Sequence, residues 1–213
     1  MTFQASKSFD NHTVDLLPNM GSPAELAAIT GGTWTREPQS PITAIRHRIE
    51  TIEDGLHGFL LAPELFSRVN GTTARLDLLG AYRALAKGAA GFIVSARPRN
   101  LDPSIPCLIV EDPTIAVEKL AKHRRAASAA TFFAITGSVG KTTTKTLIHT
   151  MVSALAPAHR TIANYNDGMQ SIHFVLSGLC DAHRYCVAEF SEVGDLEDQV
   201  RFYRPHVAVI TNV

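Results

Sequence analysis

Three features are missing from this sequence of 213 residues: an excess of charge, a long apolar run and a telling cysteine pattern. Lys+Arg and Asp+Glu are both 20, so the formal net charge is zero, which argues against broad nucleic-acid binding. No apolar run reaches the roughly 20 residues that span a membrane, and the N-terminus lacks the apolar core of a signal peptide. We therefore expect a cytoplasmic protein with neither a nucleic-acid partner nor membrane insertion.

The cysteines are too few and too irregularly spaced to define a site. Cys107, Cys180 and Cys186 have no metal-ligand spacing and form no even disulfide set. They are expected to be buried or idle reduced thiols.

What is present is the composition of a folded α/β protein, with 45% hydrophobic and 19% charged residues. We predict a flexible tail at 1–20, a small α/β domain at 21–127 and a parallel-sheet ATP-binding domain at 128–213. The linker between the two domains is placed at 123–131. Its basic residues His123, Arg124 and Arg125 are interpreted as a solvated helix end that complements the helix dipole, with phosphate binding as the alternative.

The predicted elements alternate between strands and helices, which indicates a parallel sheet with helices on its faces. Strands are predicted at 58–63, 91–96, 106–112, 131–136, 184–189 and 206–212. Helices are predicted at 22–31, 76–88, 112–127, 141–156, 168–179 and 195–203. One apolar face is expected to carry Leu78, Leu79, Tyr82 and Leu85, and another Leu147, Ile148, Met151 and Leu155.

The stretch AITGSVGKTTTK, residues 134–145, carries the strongest functional signal. A strand ends there, a glycine-containing turn comes next, and Lys141 opens a helix, so backbone N–H groups of 137–142 can surround a phosphate. Lys141 would contact the β- and γ-phosphates, and the Thr142 hydroxyl would ligate Mg²⁺. A Cβ at Gly140 would collide with the phosphate path. The alternative is a tight strand–turn–helix connection with an exposed lysine.

The loop departs from the standard Walker pattern, which requires glycine where this chain has Ile135. The form T-G-[ST]-x-G-K-[ST]-[ST] resembles the Mur ligase family and the related folylpolyglutamate synthases. It looks most like the branch that adds D-alanyl-D-alanine to a UDP-linked tripeptide, although Val139 stands where asparagine is usual. The resemblance implies a nucleotide site formed by Thr136, Gly137, Ser138, Val139, Gly140, Lys141, Thr142 and Thr143.

Two further stretches extend the resemblance. TIANYNDGMQ is similar to a family segment whose counterparts here, Thr161, Asn164 and Asn166, would face the substrate cleft; the alternative is a turn rich in Asn and Gly. YCVAEFSEV is similar to the strand that ends in the family's Mg²⁺-binding glutamate, here Glu189, with Glu192 a weaker substitute. A carboxylate at the end of a parallel strand beside a phosphate loop suits a metal. The alternative is an exposed strand-end glutamate.

The resemblance implies an ATP- and Mg²⁺-dependent ligase that forms an amide bond through an acyl phosphate and releases ADP and phosphate. Lys141 and Glu189 would be its catalytic residues, and its substrates a small, possibly UDP-linked acid and an amine or dipeptide. The alternative is a non-catalytic nucleotide-binding relative that acts as a binding module. A P-loop kinase or GTPase is disfavoured, because the first Walker glycine and an N-K-x-D motif are both missing.

Two departures from the family qualify this expectation. The family's Asp-[ST]-Arg motif, which helps to hold the UDP-sugar, is replaced by RHRIE, so that Arg48 and Glu50 reverse the charges. This favours a diverged acid substrate. The sequence also stops at Val213, before the family's second metal-binding histidine, its modified lysine and its C-terminal domain. The ATP-binding domain is therefore expected to be incomplete, and the 213-residue chain incapable of the full reaction alone.

Overall fold

The computed structural model describes residues 20–47, 49, 57–63, 77–161, 172, 173, 175, 176, 178–191 and 196–212. The described strands are β1 Thr33–Trp34, β2 Ala44–Arg46, β3 Phe59–Leu61, β4 Ala89–Val94, β5 Cys107–Ile109, β6 Thr131–Thr136, β7 Ala158–Arg160, β8 Tyr185–Glu189 and β9 Val207–Ile210. The described helices are α1 Pro23–Thr30, α2 Leu78–Ala86, α3 Pro113–Ala127, α4 Lys141–Ser153 and α5 Leu196–Tyr203. The predicted α/β class is confirmed.

The first sheet has the strand order β1-β5-β4-β3-β2, and all its pairs are parallel except β1 with β5. Leu26 of α1 and Val117 of α3 belong to a core cluster on one face, together with Leu60 and Ile93. Ala81 and Ala84 of α2 belong to a second cluster with other residues of β3 and β4. The sheet is therefore covered by helices on both faces.

The second sheet is wholly parallel in its described strands, in the order β7-β8-β6-β9. Val152 of α4 packs against Ile135 and Val187 on one face. The other face is covered by α5 and by the helical residues Ile172, Val175 and Leu176. The strand order places β6 between β8 and β9, so that the carboxyl ends of these three parallel strands lie side by side at one edge of the sheet.

Two of the predicted helices begin at capping side chains. At α1 the Ser22 hydroxyl accepts from the Glu25 N–H while the Glu25 carboxylate accepts from the Ser22 N–H, and Gly31 ends the helix in the left-handed conformation. At α3 the Asp112 side chain accepts from the N–H groups of Thr114 and Ile115. Local chemistry alone sets these boundaries.

The predicted apolar face of α2 was partly wrong. Leu79 and Tyr82 are 68% and 49% exposed, whereas Ala81 and Ala84 are fully buried. Small side chains let the helix approach β4 closely, so the alanines face the sheet although they are the less apolar residues.

The face of α4 was also predicted wrongly. Leu147, Met151 and Leu155 are 59–75% exposed, while Lys145 and Val152 are buried and Ile148 is partly buried. The helix start is set by the preceding loop, and its rotation depends on that start. Lys145, Ile148 and Val152 then face the sheet whatever their polarity.

The predicted solvated end of α3 is in fact a packed contact. Arg125 donates from Nε to the Tyr203 carbonyl at 2.6 Å and from a terminal nitrogen to the Arg204 carbonyl at 2.8 Å. Its guanidinium lies 3.9 Å from the centre of the Phe132 ring. The contact ties α3 to the second sheet and to the end of α5. The predicted domain division at 127 and 128 stays a prediction, and residues 1–19 lie outside the described residues.

Candidate nucleotide and metal site

The loop between β6 and α4 has the strand–turn–helix form that its sequence predicted. Thr136 is the last residue of β6, and Lys141, Thr142 and Thr143 begin α4. Gly140 precedes the helix with φ +85°, a left-handed conformation that favours glycine. The first-turn N–H groups of the helix point toward the loop and carry the positive end of its dipole. Ser138, Val139 and Gly140 are exposed on its crown.

Gly137 is required by a close approach that the sequence did not reveal. Its φ is +126°, and an added Cβ would lie 2.2 Å from Thr211 Oγ1 and 2.9 Å from the Asn212 backbone. A Cβ added at Gly140 would lie 3.9 Å from the Thr211 Cβ, which is an ordinary van der Waals contact. The predicted collision of a Gly140 Cβ with a bound phosphate stays a prediction. Among the described residues, it is the backbone angle that favours glycine at this position.

The two residues after β9 brace this loop. The Thr211 hydroxyl donates to the Val139 carbonyl at 2.6 Å, and the Val139 N–H donates to Asn212 Oδ1 at 2.9 Å. The Val139 N–H, one of the predicted phosphate donors, is therefore already engaged. Nothing in the local sequence around Thr211 and Asn212 marks them as contacts of a loop more than 70 residues earlier.

Lys141 lies over the loop that precedes it. Its ammonium donates to the Gly137 carbonyl at 2.5 Å, and its side chain is half-buried. The interpretation of Lys141 as a simple exposed lysine is therefore wrong. A lysine held at the positive end of a helix dipole makes an electropositive loop that suits a phosphate.

Glu189, at the end of β8, is buried against the start of α4. Only 2% of its side chain is exposed, and its Oε2 accepts from the Thr142 hydroxyl at 2.9 Å and from Lys145 Nζ at 3.0 Å. The backbone N–H of Glu189 donates to Thr161 Oγ1 at 3.1 Å. The alternative of an exposed strand-end glutamate is therefore wrong. The predicted site residue Thr161 contacts the Glu189 backbone directly.

The Thr142 hydroxyl and the Glu189 carboxylate are hard oxygen donors of the kind that Mg²⁺ takes up, usually with phosphate oxygens and water completing the shell. Their proximity therefore fits the predicted ligand pair. Among the described residues, no cluster of three or more His, Cys, Asp and Glu side chains is arranged to hold a metal. A metal bound here would depend on its nucleotide for further ligands.

Lys145 is the site residue that sequence reasoning missed. It is fully buried, and a buried ammonium requires a charged partner, here Glu189. The available signal was its position one helical turn after Lys141, within the stretch GKTTTK. The predicted residues Asn164, Asn166 and Glu192, and the divergent Arg48 and Glu50, lie outside the described residues.

The cysteines are placed as expected for idle thiols. None of the three forms a disulfide, and Cys107 and Cys186 are buried. Burial raises the pKa of the Cys186 thiol to about 12, which keeps it protonated and unreactive. Within the described residues, no helix combines the length and apolarity needed to cross a membrane.

Comparison with known proteins places this geometry in a family. Residues 135–213, which begin within β6 and include the whole loop, match the model described as the Mur ligase middle domain. Over this part, the chain is similar to the Mur ligase family. The match agrees with the resemblance that the loop sequence suggested.

Individual Mur ligases are similar over more of the chain. The UDP-N-acetylmuramoyl-tripeptide–D-alanyl-D-alanine ligase of Buchnera aphidicola is 31% identical over 134 residues, which are 61% of this chain and 28% of that protein. The ligase of the same name from Rickettsia prowazekii is 30% identical over 152 residues, or 70% of this chain and 33% of that one.

A solved structure extends the likeness to the fold. The crystal structure of MurF from Acinetobacter baumannii has a TM-score of 0.63 and 28% identity, and covers 89% of this chain and 40% of its own. The matches thus span about a third of the curated relatives' own length and well under half of the solved chain.

Proposed function

We propose that this chain is the nucleotide-binding part of an ATP-dependent ligase that joins a carboxylic acid to an amine. The observation that carries the proposal is the convergence of Lys141, Thr142 and Glu189 at the start of α4. Two residues of a helix start and one residue of a strand end meet where a nucleotide's terminal phosphates would lie. The match of residues 135–213 to the Mur ligase middle domain supports the same conclusion.

In this proposal the chain works by positioning and by neutralising charge. Lys141 and the first-turn N–H groups of α4 hold the β- and γ-phosphates of ATP, as a preorganised electropositive loop does. Thr142 and Glu189 hold Mg²⁺, which supplies charge neutralisation on the phosphate oxygens. Gly137 and Thr211 keep the loop in the shape that aims these groups.

The proposed reaction has two steps. An oxygen of the acid's carboxylate attacks the γ-phosphorus of ATP, which forms an acyl phosphate and releases ADP. The amine nitrogen then attacks the acyl carbon, the amide bond forms, and inorganic phosphate leaves. Both steps gain from reactants held in line in a site that restricts water.

The substrates are proposed by class. The names of the relatives describe a UDP-N-acetylmuramoyl-tripeptide and D-alanyl-D-alanine, the chemistry of peptidoglycan precursors. We propose a substrate pair of this class, with Asn164 and Asn166 toward the substrate and the buried Thr161 supporting the strand end at Glu189. Arg48 and Glu50, which reverse the charges of the family's UDP-site motif, favour a diverged acid.

The test supplies the full-length protein that contains this chain with ATP, Mg²⁺, candidate acids and candidate amines, and measures the nucleotide products. Amine-dependent release of ADP and phosphate is expected. Amine-dependent release of AMP and pyrophosphate would overturn the proposal.

A second candidate is a non-catalytic relative that binds nucleotide as a binding module, which the altered charges at Arg48 and Glu50 favour. Calorimetric binding of ATP by the full-length protein without turnover, across the full set of acids and amines, would support this candidate instead.

A further inference from the structure

The two lysines of GKTTTK do different things, although they are one helical turn apart. Lys141 reaches back over the loop to the Gly137 carbonyl, on the side where a phosphate would bind. Lys145 points the other way, into the space between α4 and β8, where its Nζ lies 3.0 Å from Glu189 Oε2. The proposed function accounts for Lys141 but assigns nothing to Lys145.

The burial of Lys145 is complete and its partner is equally enclosed. The side chains of Lys145 and Glu189 are 1% and 2% exposed. Burying an ion pair costs so much solvation that an apolar pair of similar volume is often as stable or more so. An interior ion pair at this position is therefore weak evidence for stability, and a role beyond packing accounts for it better.

The contacts show what the ion pair does to the carboxylate. Glu189 Oε2 accepts from Lys145 at 3.0 Å and from Thr142 at 2.9 Å, while the Glu189 backbone N–H is held by Thr161. Donors from two turns of α4 therefore converge on one oxygen, and the strand end is anchored as well. A carboxylate held in this way keeps one orientation toward the start of α4.

We propose that Lys145 is a positioning residue that holds the Glu189 carboxylate in the orientation in which it meets the Mg²⁺ of a bound nucleotide. The inference rests on the proposed function, because it concerns the same nucleotide site. Lys145 contacts neither nucleotide nor metal in this role; it acts through Glu189. Its removal should therefore weaken the contribution of Mg²⁺ to nucleotide binding and leave metal-free binding nearly as it was.

The test measures ADP binding by calorimetry, once with Mg²⁺ and once with a chelator, in the unaltered protein and in Lys145→Met. Methionine keeps the length and apolar stem of lysine and removes its charge. We expect the Mg²⁺-dependent gain in ADP affinity to fall roughly 10- to 100-fold, as for other residues that orient metal ligands. Lys87→Met, the same change at an exposed lysine, should leave the gain intact.

Thermal unfolding of each variant separates this role from a loss of fold. The double variant Lys145→Met with Glu189→Gln removes both charges, so its melting temperature should recover relative to Lys145→Met while the Mg²⁺-dependent gain stays lost. If Lys145→Met does not fold, Lys145→Gln, which keeps an N–H donor without the charge, takes its place with the same expected loss.

The outcomes are distinguishable. A folded Lys145 variant with the full Mg²⁺-dependent gain would overturn the role of Lys145 and leave the proposed function standing. An unaltered protein that does not bind ADP at all would overturn the proposed function, and this role with it.

Discussion

The Thr142 hydroxyl donates a 2.9 Å hydrogen bond to Glu189 Oε2, although the two residues are 47 positions apart in the chain. One belongs to the first turn of α4 and the other ends β8. They meet because β8 pairs in parallel with β6, the strand that leads into the loop. This contact brings the oxygen donors of the proposed metal site together.

Replacing Lys141 with methionine should reduce ADP affinity and ATP turnover without destabilising the fold. The lysine lies over an exposed loop, so its loss removes a charge near the phosphates but no core packing. We expect turnover by the full-length protein to fall by about 100-fold or more, the scale seen when a preorganised charge-stabilising group is removed. The measurements are steady-state kinetics and calorimetry, with thermal unfolding to check the fold. Unchanged ADP affinity in the variant would contradict the assignment.

Gly137→Ala should disrupt the loop more than the replacement of another glycine that has a positive φ. The new Cβ would lie 2.2 Å from Thr211 Oγ1, in addition to the strain of φ +126°. Gly31→Ala is the matched control, because Gly31 has φ +76° and nothing within 4 Å of the added Cβ. The control should lose about 1–2 kcal/mol of unfolding free energy from backbone strain alone. Gly137→Ala should lose more, and nucleotide affinity with it, as urea unfolding and calorimetry would measure. Equal losses in the two variants would show that the Thr211 contact is unimportant.

Arg125→Met should weaken the attachment of α3 to the second sheet. The change leaves apolar contact with the Phe132 ring but removes the donors to the Tyr203 and Arg204 carbonyls. Because hydrogen bonds from charged groups are the stronger ones, we expect a loss of about 2 kcal/mol or more in unfolding free energy. Arg83→Met, at an exposed arginine of α2, provides the comparison in urea unfolding. A loss no greater than in that control would mean that the contact does not stabilise the fold.

Stability should fall as the pH drops from about 6.5 toward 4, partly because of His173. Burial lowers the pKa of His173 from 6.5 to about 4; Glu118 opposes the shift and Lys122 adds to it. Between these values the unfolded chain binds a proton that the folded chain does not, so acid favours unfolding. The full shift corresponds to about 3 kcal/mol for this one buried group.

His173→Leu tests this prediction, because neither ring nitrogen of the buried imidazole has a hydrogen-bond partner among the residues that the structure describes. The variant should be at least as stable at pH 7 and should lose less stability between pH 7 and pH 5. Urea unfolding at both pH values measures the difference. Parallel losses in the variant and the unaltered protein would exclude His173 as a source of acid sensitivity.

Local rules predicted the elements that depend on neighbours in sequence. Helices α1 and α3, whose starts are capped by Ser22 and Asp112, and the β6–loop–α4 unit all lie where the sequence predicted them. The short strands β1, β2 and β7 were missed, because strands of two or three residues show almost no periodicity.

The faces of α2 and α4 could not be predicted in the same way. Apolar residues occupy more than one side of each helix, so composition leaves the buried side open. Ala84 is buried and Leu79 exposed on α2, and Lys145 is buried and Leu147 exposed on α4. The side that faces the sheet depends on how the preceding segment enters the helix.

The amino-acid sequence by itself determined a phosphate-binding loop of the Mur ligase kind, because its glycines, Lys141 and the flanking strand and helix obey rules that act over a few residues. Only the tertiary structure decided that Lys145 and Glu189 form a buried pair, and that Thr211 stands against Gly137. Those contacts depend on β6 lying between β8 and β9, a strand order that no local pattern specifies.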